Sequence, residues 1–305
     1  MQNIKEPPTV IFRQPATANL MVDSVDRTSS QYGLANSFQI SKPNSILNGF
    51  FNRIGTTELV LEWQTPNIAT VFRNNGLTID VSGAGTDTGT ISFPDNLPAG
   101  FYTTEQVLQY LVAGMNAACA TAPIAPTLPV FTVVPGSGAD RALIVTTRDV
   151  WVRFPDPVGL SGLPSIVSQF GIPTTQWILF TTAADYGISE IPDLRAFRYL
   201  DFISAQLTYN QDLKDSSTAP IVRDVLARWY MAYDNYTAVD GLGFPILMGY
   251  EPFTLRRTFS PPKQIRWDNI QPVGNLAFEV YGDNGAICPM TPSTQWLMTL
   301  QISEN

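Results

Sequence analysis

Apolar and polar positions alternate with a period of two along most of this chain. In residues 57–63 (TELVLEW), Leu59, Leu61 and Trp63 fall on one face and Glu58, Val60 and Glu62 on the other. That is the pattern of a strand buried on one side. Strands are predicted in the same way at 37–41, 77–81, 89–93, 130–134, 142–147 and 150–154, and the Gly/Thr-rich residues 82–89 read as a hairpin loop. Further strands are expected at 197–209, 225–233, 253–259, 264–269, 276–282 and 296–302. In the last two, Leu276, Phe278 and Val280, and Trp296, Met298, Leu300 and Ile302, line single faces.

One segment changes period. Thr103 and Gln106 have capping-box spacing, and Val107, Leu108, Leu111, Val112 and Met115 then recur on one helical face. Pro123 stops the helix soon after Ala120. A lone amphipathic helix among strands is expected to cover a face or an end of a sheet. A short helical turn fits residues 164–170, with Pro164 first and Gly171 just past the end.

Residues 1–35 read as an extended N-terminal arm. Pro7, Pro8 and Pro15 keep it extended, residues 23–30 have turn chemistry, and Val10, Ile11, Phe12, Leu20, Met21 and Val22 give it apolar character. It is either a strand added to its own domain or an arm that orders on a partner. Residues 36–305 carry no internal repeat and no linker long enough to divide them, so one domain is expected, with long loops at 82–100, 120–130, 155–195 and 210–222. The spacing of strands and turns is that of an all-β antiparallel sandwich or barrel with Greek-key connections.

Composition narrows the function. The 305 residues include no His, which excludes Ser-His-Asp and Cys-His catalytic sets and His-ligated metals. Net charge is −8, and the densest basic cluster is Arg256 and Arg257 with Lys263 and Arg266, a solvated face rather than a track for phosphates. No direct genome binding is expected. Residues 83–89 and 136–138 lack dinucleotide-binding and nucleophile-elbow spacing. Glu58 and Glu62 share a strand face about 13 Å apart, too far for a glycosidase pair. The segment from Asp234 to Asp240 hints at a calcium loop, but Pro245 stands where the bidentate Glu belongs. No catalytic, cofactor or metal residue emerges. Cys119 and Cys288 read as two buried free thiols, with pairing as the alternative. The uncharged stretches 106–139 and 157–184 are broken by prolines and do not read as membrane spans. No signal peptide is expected at residues 1–15, where prolines and charges replace an apolar core. Charged residues are only 14%, Lys is 4 against Arg 14, and aromatics reach 34. That bias leans toward a subunit with large contact surfaces.

Several segments together carry a resemblance. They are DRTSS at 26–30, FQI at 38–40, PNSILNGFFNRI at 43–54 and TTELVLEWQTPN at 56–67, followed by PAGFYTT at 98–104 and LTYNQDLKD at 207–215. The last are FSPPKQIRW at 259–267 and FEVYGD at 278–283. In this order they resemble the penton family, the single-jelly-roll minor capsid proteins of polinton-like viruses and virophages, related to pentons of other eukaryotic dsDNA viruses. The resemblance implies a single jelly roll with one helix and long loop insertions, and homopentamers at the fivefold vertices of an icosahedral virion assembled inside the host cell. It implies a double-jelly-roll major capsid protein as partner, with other minor capsid proteins as further neighbours, and no enzyme activity or cofactor. Candidate interface residues are Phe12 in the arm and Arg256, Arg257 and Trp267 in the late strands; ordinary surface and core is the plainer reading of each. The competing function is a lectin-like receptor-binding head on a virion, with Trp177, Tyr186 or Trp229 as its platform.

Overall fold

Strands β1 (Thr17–Asp23), β2 (Ser29–Ser30), β3 (Ser37–Ser41) and β4 (Arg53–Trp63) open the chain. Next come β5 (Gly76–Ser82), β6 (Ile91–Asn96), helix α1 (Thr104–Thr121), β7 (Phe131–Pro135), β8 (Ala142–Thr146), β9 (Val150–Arg153), β10 (Ile178–Phe180) and β11 (Tyr186–Ile188). The last group is β12 (Tyr199–Ile203), helix α2 (Ala205–Thr208), β13 (Val225–Tyr230), β14 (Phe253–Thr258), β15 (Gln264–Arg266), β16 (Asn275–Gly282) and β17 (Gln295–Ser303). The structure is a computed structural model. It describes residues 17–30, 33–44, 46, 51, 53–72, 74–83, 85, 91–121, 131–155, 166–174, 176–208, 225–231, 238–262, 264–266 and 273–304.

Eight strands pair as one long hairpin, nested from the inside outward. β12 pairs β13, β4 pairs β14, β3 pairs β16, and β1 pairs β17, all antiparallel. The hairpin is wound so that β17 also meets β4 and β12 also meets β16. The result is two sheets, β1-β17-β4-β14 and β13-β12-β16-β3-β2, with β15 on the first half of β4. A doubled-over hairpin rolled into two facing sheets is a jelly roll, and the chain is all-β in class.

The alternating faces read from sequence fill the space between these sheets. Leu59, Leu61 and Trp63 of β4, Leu276, Phe278 and Val280 of β16, and Trp296, Met298, Leu300 and Ile302 of β17 are each at most 2% exposed. Trp296 sits at the centre, with its ring centroid 5.1 Å from Phe202, 5.3 Å from Phe38 and 5.8 Å from Phe278. Its indole N–H donates to the Ala35 carbonyl at 2.9 Å.

Between β4 and β12 lies a long insertion with a hydrophobic core of its own. Its sheets are β10-β9-β5-β6 and β11-β8-β7, and α1 packs against β5, β6 and β7. Val107, Leu108, Leu111, Val112 and Met115, the helical face legible in sequence, are buried there with Ile79, Phe131, Ile144 and Phe180. The capping box forms in both directions: Gln106 N–H donates to Thr103 Oγ1 at 3.3 Å, and Thr103 N–H to Gln106 Oε1 at 2.9 Å. A later connection reaches over to this body. Leu242, Phe244, Leu247 and Tyr250 join its core, and Asp240 accepts the Glu105 N–H at 2.8 Å.

Two expectations need correction. Residues 197–209 are not one strand: β12 ends at Ile203, and Ser204 opens the single turn α2, accepting from both Thr208 N–H and Thr208 Oγ1. Residues 155–195, expected as loop apart from the helical turn at 164–170, also hold the strands β10 and β11; the expected turn is present as a 3₁₀ turn at Ile166–Phe170, with Pro164 outside the described residues. Two three-residue strands are too short to show a period. Of the two readings of the arm, residues 17–23 take the first, as an edge strand of the chain's own sheet; residues 1–16 lie outside the described residues. The Gly171 stop holds, at φ +71°.

Cys119 and Cys288 are both free and buried, one in each core. Burial pushes the Cys119 thiol up to about 11 and the Cys288 thiol well above its ordinary value. At neutral pH neither offers a thiolate. A thiol reagent should therefore titrate no cysteine in the folded chain at pH 7.5 and two in denaturant.

Candidate assembly surfaces

The packing between the sheets fixes which strands share a side of the sandwich. Trp296 of β17 lies over β3, β16 and β12, while Thr56 of β4 donates to the Leu226 carbonyl of β13 at 3.1 Å. On this stacking β1 and β2 run along one lateral side, and β14 and β13 along the other. Large exposed apolar side chains mark both. Met21 (66% exposed) lies on β1, with Val25 just after it, and Tyr230 (51%) lies on β13. The β13–β14 side also carries Arg228, Arg256 and Arg257, whereas the β1–β2 side carries Arg27, held on the Ser24 and Gly33 carbonyls.

Tyr230 belongs to a built cluster. Asp201, on the outward face of β12, is 1% exposed because the Arg228 guanidinium covers it with a two-pronged ion pair at 2.6 and 2.9 Å. Arg228 lies 4.1 Å from the Tyr199 ring centre and 6.0 Å from that of Tyr230. The hydrogen bond to Asp201 raises the Arg228 pKa above its ordinary value. A fixed cation under exposed tyrosine is the composition of interface anchors. Sequence reasoning missed it; the signal was Asp201 between Leu200 and Phe202, an acid on an outward strand position opposite an arginine.

Of the residues expected at interfaces, Arg256 and Arg257 lie on the end strand β14 and are exposed. They point to opposite faces. Arg256 pairs with Glu58 across the outer face, and the Arg257 guanidinium sits 5.4 Å from the Phe259 ring centre. Phe12 and Trp267 lie outside the described residues. The structure brings Arg256 and Arg257 to the same side of the sandwich as Tyr230.

Of the aromatics expected in the platform of a receptor-binding head, Trp229 is buried, and Trp177 and Tyr186 are half-buried. Trp229 is 1% exposed, facing the jelly-roll core. Tyr186 packs 5.1 Å from Phe180 in the insertion, and Trp177 lies 4.7 Å beneath the Arg153 guanidinium. Asp240, at the end of the rejected calcium loop, instead accepts the Leu242 and Phe244 N–H groups. Among the described residues no cluster of three His, Cys, Asp or Glu could hold a metal ion, and no helix is long and apolar enough to cross a membrane.

Where the jelly roll meets the insertion, an apolar cleft of about 540 Å³ opens. Leu34, Ala69, Phe72, Ala99, Ile287 and Met290 line it, together with Asn36. Asn36 is 4% exposed; its Nδ2 donates to the Cys288 carbonyl at 2.9 Å, and its Oδ1 has no partner.

The features together define a single jelly roll carrying a helix-bearing insertion between its third and fourth strands, with no metal-binding cluster among the described residues. No protein family matches the sequence, and neither does a curated protein. Among solved structures, the chain is similar to the crystal structure of the selenomethionine-labelled penton protein of mavirus. The TM-score is 0.51 at 13% identity, covering 96% of this chain and 99% of that one. The likeness is one of fold, and it spans the jelly roll and the insertion alike.

Proposed function

We propose that this chain is a structural capsid protein, the penton of an icosahedral dsDNA virus. Five copies would close at each fivefold vertex beside a double-jelly-roll major capsid protein, with other minor capsid proteins as further neighbours. Its place is the virion vertex, and it assembles inside the host cell. The observation that carries this reading is the shared fold over nearly the full length of both chains. The reading assigns the chain no catalytic role and no cofactor, in keeping with a sequence that has no His.

A ring of five needs a heterologous contact, one side of each subunit against a different side of the next. The two lateral sides supply such a pair. The β1 side offers Met21 and Val25, and the β13–β14 side offers Tyr230 with Arg256 and Arg257. Arg256, Arg257 and Tyr230 thus belong to one half of the proposed seam, and Met21 and Val25 to the other. Light scattering on the purified chain should give five times 33.5 kDa, 167.5 kDa, with fivefold images in negative stain. A stable trimer would sink the reading.

A further inference from the structure

We infer that the proposed ring is closed by main-chain pairing: the outer edge of β1 in one copy joins the outer edge of β14 in the next, antiparallel, so that one sheet runs on from subunit to subunit. The inference rests on the ring reading for the copy that supplies the second edge. Both strands stand at the ends of the four-stranded path β1-β17-β4-β14. An end strand is paired on one side only, so about half of its N–H and C=O groups face away from its partner. Among the described residues no strand pairs the outer edge of either.

β1 lacks the features that keep an edge from pairing. Natural edges are blunted by Lys, Pro, a bulge or shortness. β1 has seven residues, none of them Lys or Pro, and runs along β17 with no break in register. Met21 stands 66% exposed on it. β14 runs equally unbroken along β4 over six residues. The charges of the two strands are complementary: Asp23 is the charged residue of β1, and Arg256 and Arg257 are those of β14.

Strand sense decides which sheet continues. Every neighbouring pair in β1-β17-β4-β14 is antiparallel. With four strands, the two ends run in opposite directions. Every pair in β13-β12-β16-β3-β2 is antiparallel as well, but with five strands the two ends run the same way. Copies related by rotation about an axis along the strands keep one strand sense. β1 therefore meets the next copy's β14 antiparallel, which continues the pattern on both sides. β2 would meet β13 parallel, a less stable pairing, and β2 has only two residues to pair. The four-stranded sheet runs on, and the five-stranded one meets its neighbour through side chains such as Tyr230.

Disulfide scanning reads the pairing directly. Each full-length chain carries two substitutions, one of Asn19→Cys, Met21→Cys or Asp23→Cys on β1 and one of Thr254→Cys, Arg256→Cys or Thr258→Cys on β14, in all combinations. The register places all six positions on the outer face. Within one chain β1 and β14 are three strand spacings apart, about 14 Å. That exceeds the roughly 4.4–6.8 Å that a disulfide spans between Cα atoms, so every bond formed joins two copies. The native Cys119 and Cys288 are buried and do not compete. On mild oxidation, ladders of up to five chains and none larger are expected on a non-reducing gel. Antiparallel pairing has a signature: in the strongest pairs the two position numbers have a constant sum, as when 19 links 258, 21 links 256 and 23 links 254. Strongest pairs without a constant sum, or no bond in any combination, overturn the inference. Light scattering on the wild-type chain reports the ring separately. A pentamer that forms none of these bonds refutes the pairing alone, while constant-sum ladders that run past five uphold the pairing and refute the closed ring of five.

Discussion

Trp296→Ala should destabilise the fold by about 3–5 kcal/mol, a large share of the roughly 5–15 kcal/mol that holds a domain together. Trp296 is 2% exposed and touches three aromatic rings, Phe38, Phe202 and Phe278, that come from three strands of the opposite sheet. Its removal opens a cavity where β17 is held against β3, β12 and β16 together. It also leaves the Ala35 carbonyl without its indole donor. Urea unfolding followed by circular dichroism measures the loss. The comparison with Trp229 separates the two contributions. Trp229 is as deeply buried, but its indole N–H has no partner. Trp229→Phe removes an unsatisfied donor along with volume, and Trp296→Phe breaks a satisfied bond. Trp296→Phe should therefore be more destabilising, by about 1–3 kcal/mol. Equal losses would show that volume alone sets the response.

The sandwich was legible because its strands have one wet face and one dry one. Wherever that holds, as in residues 57–63 and 296–302, the alternation gives both the strand and its buried side, and the structure follows it residue by residue. It fails where burial is two-sided or the element is short. All seven residues of β5 are buried, so the alternation in LTIDV marked a strand but not a solvent face. β10 and β11 have three residues each, and the strand pattern of 197–209 runs on into α2 because Leu207 is buried against the same core as Phe202. The helix was legible down to its cap because a capping box is local chemistry. The pairing order that makes a jelly roll was not, since register across more than 200 residues, as between β1 and β17, leaves no local trace. It entered only through the resemblance.

Surface residues were less legible still. Arg256 and Arg257 drew attention as a doublet, but adjacent strand residues face opposite ways, and only the edge position of β14 exposes both. Trp229 looked available for a ligand because a tryptophan among polar neighbours gives no sign of which face it takes. The register with Tyr199, Leu200 and Asp201 settles it: Leu200 opposite Trp229 points inward, and Asp201 opposite Arg228 points outward. Tyr230 then falls on the outward side of an end strand beside a neutralised cation.

A heterologous seam makes a demand that no self-complementary contact makes. Met21→Asp should abolish the 167.5 kDa species, because it puts a charge on the β1 side; Tyr230→Asp should do the same from the β13 side. Neither should unfold the chain, since both side chains are more than half exposed, where substitutions usually change stability by less than about 0.5 kcal/mol. The decisive sample is the mixture. The Met21→Asp chain keeps an intact β13 side, and the Tyr230→Asp chain keeps an intact β1 side. One sound contact can form between them, and no second. Mixing should therefore give a heterodimer of twice 33.5 kDa and nothing larger, with each chain alone remaining a monomer. If the contact joined like sides, each single variant would retain one sound side and dimerise by itself. Light scattering on the three samples separates these cases. Homodimers of either variant would exclude a ring closed through these two sides, whereas a heterodimer that stops at two is what a ring interrupted at one seam must give.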